Sequence, residues 1–284
     1  MARILTLVDG SAYAQSVSDH AAWAATRIPA AVELVHVLDR RDVSSAPADF
    51  TGSLDADAQG SLLAELAEFD AQKAKLAHRR GRLILDAAKA RLLAAGVTDV
   101  SPRLRNGDVV ETVADLEAGA DLVVIGKRGE AADVATPHLG SNLERVVRAS
   151  HRPVLVASRA FQPIDRFLIA FDGGPSVTRA IDDIAQGPLL RGLGCRMLMV
   201  GAATPEARER LDRAAERLRG AGFAVDAGIE AGQPDDVIAR AVERDGIGLL
   251  VMGAYGHSRI RSLIIGSTTT AMIRSSTAPI LLFR

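Results

Sequence analysis

Residues 249–269 read Leu249-Leu250-Val251-Met252-Gly253-Ala254-Tyr255-Gly256-His257-Ser258-Arg259-Ile260-Arg261-Ser262-Leu263-Ile264-Ile265-Gly266-Ser267-Thr268-Thr269. The opening apolar run, ending in glycine, suits a strand buried on both faces of a parallel sheet. Beyond Gly266, Ala271 and Met272 or Ile273 recur at helical spacing, which predicts a helix over 268–274 behind a Ser/Thr N-cap. The order is strand, glycine loop, helix N-terminus. Gly253 and Gly256 let a ligand approach the backbone, and the N–H groups of Gly266-Ser267-Thr268 lie at the positive end of a helix dipole. The stretch reads as a cradle for an anion, placed beyond the carboxyl ends of the strands where ligands of open α/β sheets sit. Two glycines after a strand also occur in turns that bind nothing.

Working outward from this stretch, the same pattern occurs earlier in the chain. Arg3 to Val8 is an apolar strand ending in Asp9-Gly10-Ser11, followed by a helix carrying Val17, Ala21, Ala24 and Ala25 on one side. Val32 to Leu38 is a second strand, and the polar, small-residue segment from Arg40 to about Gly60 predicts a mobile surface loop. A long helical stretch follows from about Leu62 to Ala95, then a strand at 97–104, a helix opened by Gly107-Asp108, and a strand at Leu122-Val123-Val124-Ile125. Gly126-Lys127-Arg128-Gly129 and Gly140-Ser141 precede a helix to about Ser150, and Pro153 to Val156 makes a fifth strand. Helices between successive strands predict parallel pairing.

Phe167 to Gly173 then repeats the first strand with its terminal acid, and Pro279 to Phe283 repeats the fifth. Asp9 to Val37 and Asp172 to Val200 are each 28 residues apart, and Gly140 to Pro153 and Gly266 to Pro279 each 13 apart. Such register marks an internal duplication. The expected fold is therefore α/β: two tandem doubly wound domains, 1–159 and 160–284, each with a five-stranded parallel sheet and helices on both faces. The linker falls near Ser158 to Pro163. The halves differ where Val37 to Gly96 spans 59 residues against 22 for Val200 to Gly222, so the first half carries an extra loop and a longer helix.

Composition narrows the function. The chain has 284 residues, 48% of them hydrophobic, and a formal net charge of −1, so nothing marks it for nucleic acid or an anionic membrane. No run reaches membrane-spanning length, and the N-terminus enters a strand without signal-peptide features, which leads us to expect a cytoplasmic protein. The single Cys195, at the head of an apolar run, reads as a buried hydrophobe. There is no Gly-x4-Gly-Lys-Ser/Thr loop, no Gly-x-Ser-x-Gly elbow and no Cys/His cluster at metal spacing. No catalytic or metal-ligating residue is therefore assigned, Asp172 being the one candidate for metal contact, and any hydrolysis of a bound phosphate chain is expected to be slow.

The second half's Gly-x2-Gly-x9-Gly-(Ser/Thr), matched by Gly253, Gly256, Gly266 and Ser267, with the strand-end Asp172 and the closing Ser-x-x-Pro-Ile-Leu-Leu strand, resembles the universal stress protein family in its tandem form. The resemblance implies ATP binding without a robust catalytic cycle, and with it Mg2+. Carried over by position, the implied site in the second half comprises Asp172, Val200, Gly253, Ala254, Gly256, His257, Gly266, Ser267, Thr268 and Thr269. Asp172 would accept hydrogen bonds from the nucleoside, or else cap the following helix. The backbone near Val200 would meet adenine, and the glycine loop would wrap the phosphates. His257 and Arg259 either contact phosphate or face solvent.

The corresponding first-half residues are Asp9, Val37, Gly126, Gly129, Gly140, Ser141 and Asn142. Here ten residues rather than nine separate Gly129 from Gly140, and Glu130, Asp133 and Pro137 lie in the loop. The carboxylates disfavour a polyphosphate; Lys127, Arg128 and His138 favour one. The expectation is an ATP-dependent switch or sensor of the stress response with its site mainly in the second half. Its partners would be a nucleotide, an unidentified protein, an intramolecular pseudo-dimer paired through the fifth strands at Val154–Val156 and Ile280–Leu282, and a homodimer. The alternatives are a protein-interaction module that binds no nucleotide, and a slow ATP hydrolase.

Overall fold

The computed structural model describes residues 1–39, 56–129, 141–254 and 266–284. The first half runs β1 (Ala2–Leu7), α1 (Ala14–Arg27), β2 (Ala30–Leu38), α2 (Ala56–Ala94), β3 (Val100–Asn106), α3 (Val109–Leu116), β4 (Leu122–Gly126), α4 (Ser141–Ala149) and β5 (Val154–Ala157). The second runs β6 (Arg166–Ala170), α5 (Pro175–Gln186), β7 (Gly194–Val200), α6 (Pro205–Gly220), β8 (Val225–Glu230), α7 (Pro234–Arg244), β9 (Leu249–Gly253), α8 (Ser267–Ser275) and β10 (Ile280–Phe283). Helices α5, α6 and α7 each open with proline, whose missing N–H costs nothing in the first turn.

The strands form one ten-stranded sheet in the order β3-β2-β1-β4-β5-β10-β9-β6-β7-β8. Each half is thus a parallel sheet of order 3-2-1-4-5. The halves join where β5 and β10 run antiparallel, with Ile280 opposite Val156, Leu281 opposite Leu155 and Leu282 opposite Val154. Because side chains alternate along a strand, neighbours go to opposite faces, and both are apolar. Ile4 and Leu34 meet Val17 and Ala21 of α1, Leu85 and Leu92 of α2, and their counterparts on α5 and α6. Leu5 and Val123 meet Val113 of α3, Val146 of α4, and residues of α7 and α8. Cys195 lies in the first of these layers, and burial pushes its thiol up to about 12, which makes it an inert packing residue.

The halves differ as their spacing requires: α2 has 39 residues and α6 has 16. Only the C-terminal part of α2 is seated, through Leu85, Ala88 and Leu92. It approaches the sheet at Gly81, where a Cβ would lie 2.7 Å from Leu104 Cδ1 and 2.8 Å from His36 Cδ2. Between β5 and β6 the connection is pinned. Ser16 donates to the Ser158 carbonyl at 2.7 Å, and Phe161 meets the buried His20 ring edge-on, centroids 5.0 Å apart.

One expectation needs correction. Helix α8 starts at Ser267, not Thr268, and its N-cap is Gly266, with no side chain capping it. Trp23 packs on the edge of the core, beneath Arg27 at 5.8 Å from its ring. The segment expected to be a mobile loop lies, for residues 40–55, outside the described residues, and α2 begins inside its remainder.

Candidate functional site

Chain order reverses between β1 and β4, and again between β6 and β9, so each half opens a crevice beyond the carboxyl ends of those strands. The first acids of the two halves behave alike. Asp9 Oδ1 accepts the Ser11 N–H at 3.0 Å, and Asp172 Oδ1 accepts the Gly174 N–H at 2.8 Å. These are local turns two residues long, and neither α1 nor α5 has a side-chain cap. The alternative in which Asp172 caps α5 is therefore not what the structure adopts. Gly173 takes φ +74°, a left-handed turn that favours glycine and aims the chain from strand into helix.

Register assembles the rest of the second-half residues. Phe167 pairs with Leu249 and Ile169 with Val251, which carries Gly253 to the level just before Asp172. Ala170 pairs with Leu198, so Val200, the last residue of β7, lies beside Asp172 on the other flank. Residues 255–265 are bracketed by a hydrogen bond from Gly266 N–H to the Ala254 carbonyl at 3.2 Å, while Ala254 N–H donates to Phe283 at 2.7 Å. Ser267 is exposed and Thr268 half-buried at the start of α8. Thr269 is buried, and its hydroxyl donates to the Gly253 carbonyl at 3.0 Å. It therefore ties the helix start to the strand end, a role the residue pattern did not indicate. Gly256 and His257 lie outside the described residues, as do Tyr255 and Arg259.

One cation was missed. A Cβ built on Gly173 would lie 3.7 Å from Arg210 Nη1, so the α6 guanidinium borders the Asp172 turn. Nothing along α6, which has five arginines, distinguishes this one by sequence.

In the first half, Asp9, Val37 and Gly126 occupy the equivalent strand ends, with Val37 opposite Arg105 in the β2–β3 ladder. Gly126 sits close on α1, where a Cβ would be 3.0 Å from Tyr13 Cβ. Gly129 folds back so that a Cβ there would lie 3.1 Å from Asp9 Oδ2. Asn142 is exposed on α4, whose first residue is Ser141; Gly140, His138, Glu130, Asp133 and Pro137 are outside the described residues. Lys127 does not face the crevice of its own half. Its ammonium crosses the seam and donates to the Ser276 carbonyl at the C-terminus of α8, 3.0 Å away. Burial and the neighbouring Arg128 lower its pKa to about 8.

A cavity of about 180 Å3 lies elsewhere, at the junction of the halves, among Ile28, Leu122, Leu190, Leu281 and Phe283. None of the expected ligand-contacting residues lines it. Asp183, also in its wall, has its carboxyl pKa raised by burial. Among the described residues no group of three or more His, Cys, Asp or Glu converges as a metal site, and no helix is long and apolar enough to cross a membrane.

Fold and crevices together define a tandem pair of doubly wound α/β domains joined through their fifth strands. A model described as the universal stress protein family matches residues 1–158 and 196–284. A universal stress protein of Synechocystis sp. is 36% identical over 287 residues, covering 100% of both chains. Another, from Mycolicibacterium smegmatis, is 26% identical over 307 residues, covering 99% of this chain and 96% of its own. A universal stress protein structure from Archaeoglobus fulgidus shares the fold with a TM-score of 0.71, at 19% identity over 99% of this chain and 98% of that one. The chain belongs to the universal stress protein family, in its tandem form. The family model passes over residues 159–195, so Asp172 lies outside that match; its turn is like that of Asp9.

Proposed function

We propose that the protein is an ATP-dependent switch or sensor of the stress response, working in the cytoplasm, with its site at the β6–β9 crevice of the second half. The observation that carries this reading is the start of α8. Its first N–H groups have no side-chain cap, and the Thr269 hydroxyl is turned away to Gly253, leaving backbone donors at the positive end of the helix for an anion. The phosphates would lie against Ser267 and Thr268, with the segment holding Gly256 and His257 closing over them. The nucleoside would reach Asp172, and adenine the backbone at Val200. Arg210 would add a charge-assisted contact on the α6 side. Mg2+ suits the oxygens of the phosphates; Asp172 is the acidic side chain that this pocket offers it. No general base is assigned, so hydrolysis would be slow and the bound state would persist as a signal.

The first half supports binding less well, since Gly129 lies against Asp9 and Lys127 is directed to Ser276. Calorimetric titration of nucleotide-stripped protein with Mg-ATP should therefore give one site per chain. Gly266→Val should abolish the heat while the thermal transition is retained, and Arg210→Ala should weaken affinity about tenfold or more. A flat trace from folded parent protein would instead favour a module that binds only protein partners. Two sites would place a working crevice in the first half as well.

A further inference from the structure

Among the described residues, the N-terminal part of α2 adds nothing to the core: from residue 60 to residue 80, about six turns of helix, no residue is buried. Along this arm Leu62, Phe69, Leu76 and Leu83 recur every seven residues, with relative exposures of 37%, 59%, 66% and 62%. Leu66, half-buried, thickens the same stripe. A strict seven-residue apolar repeat is the seam of a left-handed helix pair, and a helix this long with its apolar stripe in water is marginal without a partner.

We propose that this arm is a self-association surface on which a second copy of the chain lays its own α2 antiparallel. Two features select that occupant. The repeat is its own complement: 62 and 83, like 69 and 76, are equidistant from a point between Gln72 and Lys73. A twofold axis there brings Leu62 onto Leu83 of the second copy and Phe69 onto its Leu76. Charge divides about the same point, with Glu65 and Glu68 before it and Lys75, Arg79 and Arg82 after it. Antiparallel packing sets the acidic stretch of each arm along the basic stretch of the other, whereas parallel packing sets like charges side by side. The arm is held in place by Leu85, Ala88 and Leu92, so pairing has little ordering entropy to overcome.

Light scattering on the full chain over a range of concentrations should give twice the 29.9 kDa chain mass. Phe69→Glu with Leu76→Glu should halve it while a single cooperative thermal transition is retained, at the lower midpoint that loss of a bound partner brings. Glu65→Lys with Glu68→Lys should weaken the dimer about tenfold or more, and adding Lys75→Glu with Arg79→Glu should restore it. Orientation is read by cross-linking. Gln72→Cys lies beside its own copy and should form a disulfide dimer, while Ser61→Cys, about 34 Å from its copy along the pair, should not. Cys195 is buried and does not confuse this test. A chain that stays monomeric, a dimer that survives the glutamates, or cross-linking through both cysteines would overturn the proposal.

Discussion

At the scale of the residue, the second-half crevice depends on groups that face away from it. Thr269 is the clearest case: its hydroxyl is fixed on the Gly253 carbonyl, joining the start of α8 to the end of β9 across a segment of chain between them. Thr269→Val keeps the branched shape and removes the donor, so a half-buried carbonyl loses a partner. The expected cost is about 1–2 kcal/mol in urea unfolding, with Thr269→Ser well below that. Equal losses for the two variants would show that packing, not the bond, matters. The sequence placed this residue in the cradle but could not orient it. Serine and threonine at a helix start read alike whether they face ligand, cap the helix or bond a strand. Asp172 reads as a partner of the nucleoside or a cap of the next helix; the turn it makes with the Gly174 N–H is a local use of the carboxylate that neither reading names.

At the scale of the element, Lys127 is a cation held at the C-terminus of α8, where the helix dipole favours it and burial opposes it. Burial prevails, and the folded pKa of about 8 lies below the ordinary 10.5. Below the folded value the amine is protonated in both states and the whole penalty acts. As pH rises from there to the ordinary value, the native state gives up its proton first and stability increases. The half-buried amine is partly screened, so the gain is about 1 kcal/mol between about pH 7.5 and about pH 9.5. Comparing the unfolding free energies of parent and Lys127→Met at both pH values isolates it. A difference that stays constant with pH would mean the amine titrates as in water. Strands and their parallel pairing were readable from apolar runs separated by helical stretches; their order in the sheet was not. The reach of Lys127 was not, because a contact spanning 149 positions leaves no local pattern.

At the scale of the whole molecule, the two halves share one hydrogen-bonded sheet and both of its apolar layers, so they should unfold together. Leu281, 1% exposed opposite Leu155, is a test of this. Leu281→Ala should cost about 2–5 kcal/mol. Because Trp23 is the single tryptophan and lies in the other half, its fluorescence transition should shift by the same amount as the circular dichroism of the whole chain. A fluorescence transition that stays in place would mean that the halves melt separately. The duplication was legible because spacing survives where similarity fades, whereas the pairing of fifth strands was expected only from the resemblance to the family. The length of α2 was legible too, though periodicity alone did not say that residues 60–80 would stay unburied.

The seam has one more consequence, for how the protein can change over generations. In a dimer of identical subunits every substitution arrives twice, once on each side of the symmetry axis, and a lone positive charge at the junction would face its own image. In this chain the place corresponding to Lys127 is held by Ala254, and the serine corresponding to Ser276 is Ser150, whose hydroxyl donates instead to Glu117. Fusion has let the two sides drift apart while neither can lose its companion. One side could therefore give a lysine to the junction while the other kept an alanine in that place.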